Sequence, residues 1–196
     1  MPSFLGDYPG CATGRQMKFI RAVKSFLDQT YKDKELVIVS DGCEITNKLV
    51  ENNFKNEQEI CLVKLEKQPL FSGSVRQAGI DLCTGEVVCF LDTDDYILPH
   101  HLVSLSRQIQ NEPWVIFNDY IKNGGALLPR VLEIKHGTTG TSNIAYKKSL
   151  PVSWAGCDGY GHDWLFIQKL IAVQSEPKRA YGMAYCVCHV PHQVDE

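Results

Sequence analysis

The sequence predicts an α/β fold with a mostly parallel central sheet flanked by helices, joined to a smaller antiparallel part. Three observations carry this expectation. Short apolar runs at residues 36–39, 60–65 and 87–91 have the length and composition of buried strands. Stretches with apolar residues three and four apart separate those runs, so helix and strand alternate from residue 15 to residue 109. Beyond residue 111 the alternation stops, and two strand-like runs flank Asn123-Gly124-Gly125, the signature of a hairpin.

Phe19, Ile20, Val23, Phe26 and Leu27 define an amphipathic helix running from Arg15 to Gln29-Thr30. The strand Leu36-Val37-Ile38-Val39 follows and ends in Ser40-Asp41-Gly42, where open α/β sheets bind ligands. A helix over 45–53, the strand 60–65 and a helix over 73–82 carrying Arg76 lead into the run 87–91. That run, five apolar residues after Thr84-Gly85, reads as a strand buried on both faces in the middle of a parallel sheet. Pro99 then suits a first helical turn, with Leu98, Leu102, Leu105 and Ile109 at helical spacing. Strands are expected over 114–120, 126–134, 142–146 and 180–190, and a helix after Gly161 with Leu165, Phe166, Leu170 and Ile171 on one side.

The length of 196 residues, with 44% hydrophobic and 22% charged, suits one domain, with 1–110 and 111–196 as its two halves. A net charge of -3 with scattered basic residues argues against a nucleic-acid partner. No apolar run has the length of a membrane span and no secretory signal is visible, so the expected location is cytoplasmic. The eight cysteines are dispersed, and Cys61, Cys83 and Cys89 lie in apolar segments, which reads as reduced thiols. Cys186, Cys188, His189 and His192 have metal-ligand residue types, but without a second pair they are a weak zinc signal.

Asp92, Asp94 and Asp95 arrive together at the end of the run 87–91. In extended backbone Asp92 and Asp94 share a side and Asp95 points away. Two such carboxylates repel unless a cation lies between them or donors saturate them. Oxygen ligands suit a divalent metal, Mn2+ or Mg2+, that takes further ligands from a substrate phosphate. The competing reading is an acidic turn that caps the helix near Pro99.

Four motifs together resemble the family 2 glycosyltransferases, inverting enzymes with the GT-A (nucleotide-diphospho-sugar transferase) fold. Ser25-Phe26-Leu27-Asp28-Gln29-Thr30-Tyr31 through Val39-Ser40-Asp41-Gly42-Cys43 is similar to the family's opening, and Ser74-Val75-Arg76-Gln77-Ala78-Gly79 to its A-R-N-x-G helix start. Leu91-Asp92-Thr93-Asp94-Asp95 with Pro99 resembles L-D-x-D-D…P, and Gly161-His162-Asp163-Trp164-Leu165 resembles G-E-D-W-L. The resemblance implies that Asp41 accepts a hydrogen bond from the base, most often uracil, and that Arg76 meets the nucleotide or its diphosphate. Asp92 would contact the ribose region, Asp94 would hold the metal, and Asp163 would be the catalytic base. The rival for Asp163 is a carboxylate that merely complements a helix dipole. His189, or alternatively His192, fits a histidine that contacts the metal or the diphosphate; a solvent-exposed histidine is the rival reading.

Most of the family's first strand is missing, and Pro2-Ser3-Phe4 stands where it ends, so a shortened or missing first strand is expected, with Ser3 and Phe4 on the nucleotide side. A glycine-rich insertion, Gly6 to Gly14, follows, while Gln77 and His162 replace the usual asparagine and glutamate. The implied reaction moves a sugar from a nucleotide-diphosphate donor, a UDP-sugar, to a hydroxyl of a glycan or similar acceptor. The acceptor would approach over 137–142 and 154–160, with Trp154, Tyr160 and His162 as contacts and ordinary packing as the rival role for Trp154 and Tyr160. A catalytically inactive nucleotide-sugar or glycan-binding module is the alternative. A sugar nucleotidyltransferase ranks last, because Gly6 to Arg15 is a poor version of its phosphate loop.

Overall fold

A computed structural model of the chain describes residues 1–190 and 194–195. β1 (Pro2–Ser3) pairs in parallel with β2 (Leu36–Asp41), which pairs in parallel along its whole length with β3 (Ile60–Leu65). The helices α1 (Arg15–Leu27), α2 (Glu44–Asn53) and α3 (Gly73–Leu82) lie between and after these strands. Every residue of β2 is buried. Leu36 and Ile38 join the core under α1, while Val37 and Val39 pack with Val75 of α3 on the other face. The expected shortening of the first strand is present, since β1 has two residues and its hydrogen bonds go to β2.

The run 87–91 differs from expectation. Its strand, β4 (Val87–Cys89), is three residues long, Val87 is 36% exposed, and it pairs antiparallel with β9 (Ile144–Lys147). A one-sided apolar run and a two-sided one are alike in sequence; only the strand's neighbours distinguish them. In this sheet a strand buried on both faces is β6 (Trp114–Phe117), whose alternate residues, like those of β2, feed separate cores. Val115 and Phe117 pack with α1 residues Phe19 and Phe26, while Trp114 and Ile116 pack with Ile144, Tyr146, Trp154 and Phe166.

β5 (Tyr96–Ile97) precedes α4 (His101–Gln108), and neither the two-residue strand nor its pairing was expected. The expected strand over 114–120 breaks at Asn118 into β6 and β7 (Asp119–Asn123), which enter different sheets. The predicted hairpin is present: β7 pairs antiparallel with β8 (Ala126–Arg130). Gly124 and Gly125, at φ 56° and 86°, supply the two left-handed residues that its tight turn requires. α5 (His162–Val173) and β10 (Lys178–Ala180) follow, β10 lying parallel to β6. The expected strand over 180–190 is broken into the end of β10, β11 (Tyr185–Val187) and β12 (His189–Val190), the last paired with β13 (Val194–Asp195).

All eight cysteines are free thiols. Cys61, expected in an apolar setting, is instead exposed, although Val63 and Leu65 on the same face of β3 pack against Val37, Val39 and Val75. No described helix is long and apolar enough to cross a membrane.

Candidate active site

The Gln-Thr of the first motif has a structural role that brings the chain back to the three aspartates. Buried Gln29, at the end of α1, donates to the Leu98 carbonyl at 2.8 Å and accepts from Leu102 N at 3.0 Å. Thr30 N and Oγ1 both donate to the Pro99 carbonyl, at 2.9 and 3.0 Å. The segment after the aspartates is thereby fastened to α1.

Residues 92–95 form a turn in which Asp95 N approaches the Asp92 carbonyl at 3.4 Å. Asp95 is buried and structural: its carboxylate accepts from Tyr185 Oη and Cys188 N, both at 2.9 Å. Burial, then the charges of Asp94 and Asp92, push it well above the usual carboxylate range. Asp92 N donates to Tyr185 Oη at 3.1 Å, and Arg21 donates to the Asp94 carbonyl at 2.7 Å. None of the three aspartates caps α4, whose N-cap residue is His100 with no side-chain hydrogen bond to the helix. Burial raises Asp92 to about 6; Arg76 opposes this, and the neighbouring charges of Asp94 and Asp163 add to it.

A carboxyl raised by burial and by a second aspartate fits the countercharge that the expected divalent cation would supply. Among the described residues no third histidine, cysteine or acid completes a metal cluster, so a cation here would rely on substrate oxygens and water. His189 Nε2 contacts the Gly10 carbonyl at 2.9 Å. Cys186 and Cys188 are buried, and His192 lies outside the described residues.

Asp41 is placed as expected, at the buried end of β2. Both its oxygens are engaged, with Lys67 Nζ and Gln68 N donating at 2.6 Å each. Lys67 also lies over the Phe4 ring, 4.5 Å from its centroid, so Phe4, Asp41, Lys67 and Gln68 form one group. Ser3 does not join it. Ser3 is 2% exposed and its hydroxyl is hydrogen-bonded with Thr46 Oγ1 at 2.8 Å, which ties β1 to α2.

Arg76, one turn into α3, lies 3.6 Å from Asp163 Oδ1 and stacks over the Trp154 ring at 5.0 Å. The start of α3 is set by Asp158, whose Oδ1 accepts from Gly73 N at 2.9 Å and Ser72 Oγ at 3.3 Å. Gly73 permits this approach, since a Cβ there would meet the Cys157 carbonyl at 2.5 Å. Gln77, in place of the usual asparagine, accepts from Trp154 N at 2.9 Å. Trp154 is 1% exposed and stacked on Phe166 at 4.3 Å, so it supports Arg76 and has no free face for a sugar. Tyr160 is 89% exposed and edge-on to Phe71. His162 is 8% exposed and touches Asp163 instead of facing outward.

Asp163 opens α5, beside the 140–141 loop. Burial alone would raise its pKa, but Arg76, His162 and the Thr141 N–H outweigh it and hold the carboxylate down at about 2. At this site Arg76 Nε, Asp163 Oδ1, His162 Nε2, Trp154 Nε1 and Thr141 Oγ1 are buried without a hydrogen-bond partner. Buried polar atoms left open in one place mark a site for a polar ligand or ordered water. Sequence reasoning missed Lys67, Phe71, Asp158 and Thr141; the turn pair Asp158-Gly159 was the one local signal among them.

The fold is that of the GT-A transferases. Residues 1–349 of S. aureus TarS superpose with a TM-score of 0.73 at 16% identity, over 95% of this chain and 58% of that one. The profile of Glycosyl transferase family 2 matches residues 15–171, and the chain belongs to that family. It is 30% identical over 143 residues to the GalNAc(5)-diNAcBac-PP-undecaprenol beta-1,3-glucosyltransferase of Campylobacter jejuni, covering 72% of this chain and 46% of that protein. It is 33% identical to a glucosyl-dolichyl phosphate glucuronosyltransferase of Haloferax volcanii, over 59% of this chain and 35% of the other. The chain thus spans less than half of each of these two relatives.

Proposed function

We propose that the chain is a metal-dependent inverting glycosyltransferase that moves a sugar from a nucleotide-diphosphate donor to a hydroxyl of a glycan or similar acceptor. The observation that carries this reading is the convergence on Arg76: Asp163 from α5 contacts it, and Asp92 from the turn after β4 lies within its field. A uridine donor is favoured by the related fold of TarS, which has been crystallised with UDP-GlcNAc. Residues 1–110 would carry the donor and 111–196 the acceptor.

In this reading the Phe4, Asp41, Lys67 and Gln68 group receives the base, and Arg76 faces the diphosphate. Asp92 and Asp94 would hold Mn2+ or Mg2+, which when bound offsets the charge that develops on the leaving diphosphate. The acceptor oxygen attacks the anomeric carbon opposite the diphosphate while Asp163 takes the hydroxyl proton. The carbon–oxygen bond to the diphosphate breaks and its electron pair leaves with the phosphate. Tyr160, exposed beside this point, offers a ring face to the acceptor sugar.

The test is UDP release from a panel of UDP-hexoses with mixed oligosaccharide acceptors. Asp163→Asn should lower turnover by roughly 10²–10⁴-fold while leaving UDP binding intact. Equal turnover in the variant would remove Asp163 from the chemistry. A second reading is an inactive nucleotide-sugar-binding module; UDP binding without release from any donor supports it.

A further inference from the structure

Asp119, the first residue of β7, is buried, and both its carboxylate oxygens are engaged. Arg130, its partner across the hairpin, donates through Nε to Oδ1 at 2.8 Å and through Nη2 to Oδ2. That fork already pairs the charge, which burial would otherwise make costly. Asn143, buried in the 3₁₀ turn Thr141–Asn143 that leads into β9, adds a third donor: its Nδ2 reaches Asp119 Oδ2 at 2.8 Å. The other end of the same amide faces a different segment. Its Oδ1 accepts from Gly140 N at 3.2 Å and from Ser142 Oγ at 3.4 Å. An amide has one donor end and one acceptor end, and an ionised carboxylate only accepts, so turning the amide over would break both sets of contacts. Asn143 is therefore fixed in one orientation between the hairpin and the 140–142 loop.

That loop meets Asp163. A Cβ on Gly140 would lie 3.5 Å from Asp163 Oδ2, so the bare backbone there packs on the carboxylate, and the Thr141 N–H is among the groups that hold Asp163 down. Thr141 is as buried as Asn143, and its Oγ1 has no hydrogen-bond partner among the described residues. The contacts thus run from Arg130 and Asp119 through Asn143 to the 140–141 backbone and on to Asp163, joining β7 and β8 to the start of α5.

We propose that Asn143 is a positioning residue for the base: it ties the Gly140-Thr141 backbone to the Asp119–Arg130 pair and so sets where that backbone meets the Asp163 carboxylate. The role rests on the reading of Asp163 as the base, and Asn143 itself touches neither donor nor acceptor. The pair is a firm anchor because its two residues face each other in one sheet, whereas the chain from 131 to 140 contains no strand. An asparagine that only braced the loop would affect stability and leave the surroundings of the carboxylate unchanged.

The direct test follows the Thr141 amide proton by NMR in the wild type, Asp163→Ala, Asn143→Ala and the double variant. Asn143→Ala leaves Asp119 paired with Arg130, so the buried charge stays satisfied; Asn143→Leu, closer in volume, replaces it if it folds poorly. Removing the carboxylate should shift the Thr141 amide resonance in the wild-type background and leave it unmoved in the Asn143→Ala background. An equal shift in both backgrounds, or none in either, overturns the proposal. This readout involves no sugar transfer, so it stands apart from the transferase reading. Where transfer is measurable, Asn143→Ala should lower kcat by roughly 10–100-fold with acceptor KM and UDP affinity unchanged. A change confined to KM overturns the role. The exchanged pair, Asn143→Asp with Asp119→Asn, keeps a carboxylate facing an amide and should regain most of the kcat that Asn143→Asp alone loses. No recovery overturns the route through Asp119.

Discussion

Asp92 and Asp163 share the field of Arg76 and are driven in opposite directions. Burial and the adjacent Asp94 charge bring Asp92 up to about 6, whereas Arg76, His162 and Thr141 N–H overcome burial and draw Asp163 down to about 2. Asp163 is therefore ionised over the whole neutral range, and sensitivity near pH 6 belongs to Asp92. A cation at Asp92 and Asp94 must displace the Asp92 proton. Mn2+ affinity should then fall by about tenfold per pH unit below pH 6, and calorimetry across pH 5–7 checks this. A flat profile would separate Asp92 from the cation. Asp41, Arg76, Asp92, Asp94 and Asp163 were legible in the sequence because each sits at an element end inside a local motif. Lys67 and Phe71 were not, because what defines them is a partner distant in the chain: Asp41 for one, His162 for the other.

At the scale of elements, the start of α3 is held by a side chain from the far half of the chain. Asp158→Ala removes the acceptor for Gly73 N and Ser72 Oγ. Stability should fall by about 1 kcal/mol, with weaker UDP binding through Arg76 one turn on; urea unfolding and calorimetry read the two effects. α4 carries a different liability. His101 is buried edge-on to Phe117 and Tyr185, its Nδ1 accepts from Ala184 N at 3.2 Å, and burial lowers its pKa to about 4. Between pH 6.5 and 4 the unfolded chain binds a proton that the folded chain refuses, so stability falls as pH drops, by up to about 3 kcal/mol. His101→Asn keeps an acceptor that does not titrate. Its urea stability should lose correspondingly less over that window, and an unchanged acid loss would contradict the assignment. The helices were readable from their periodicity, and α3 matches its expected bounds. β5 was not, since two residues leave no periodic signal, and the break at Asn118 was not, since what makes it is tertiary. Asn118 Oδ1 accepts from Leu132 N at 3.1 Å and Arg179 at 2.9 Å, ending β6 and turning the chain into another sheet.

Across the whole molecule, the alternation of helices and strands was enough to give the class of fold, but not which strand is central. Val87-Val88-Cys89-Phe90-Leu91 and Trp114-Val115-Ile116-Phe117 are equally apolar as text. The second is central because β9 and β10 flank it. The site depends on that arrangement, since the core shared by Trp114, Ile116, Trp154 and Phe166 sets the floor beneath Arg76. The measurement closest to the central claim is calorimetric titration of UDP with and without Mn2+, comparing the intact chain with Asp94→Ala. Binding that needs the metal and is lost in the variant is the predicted result. Binding of no nucleoside diphosphate under either condition would contradict the transferase reading for this chain.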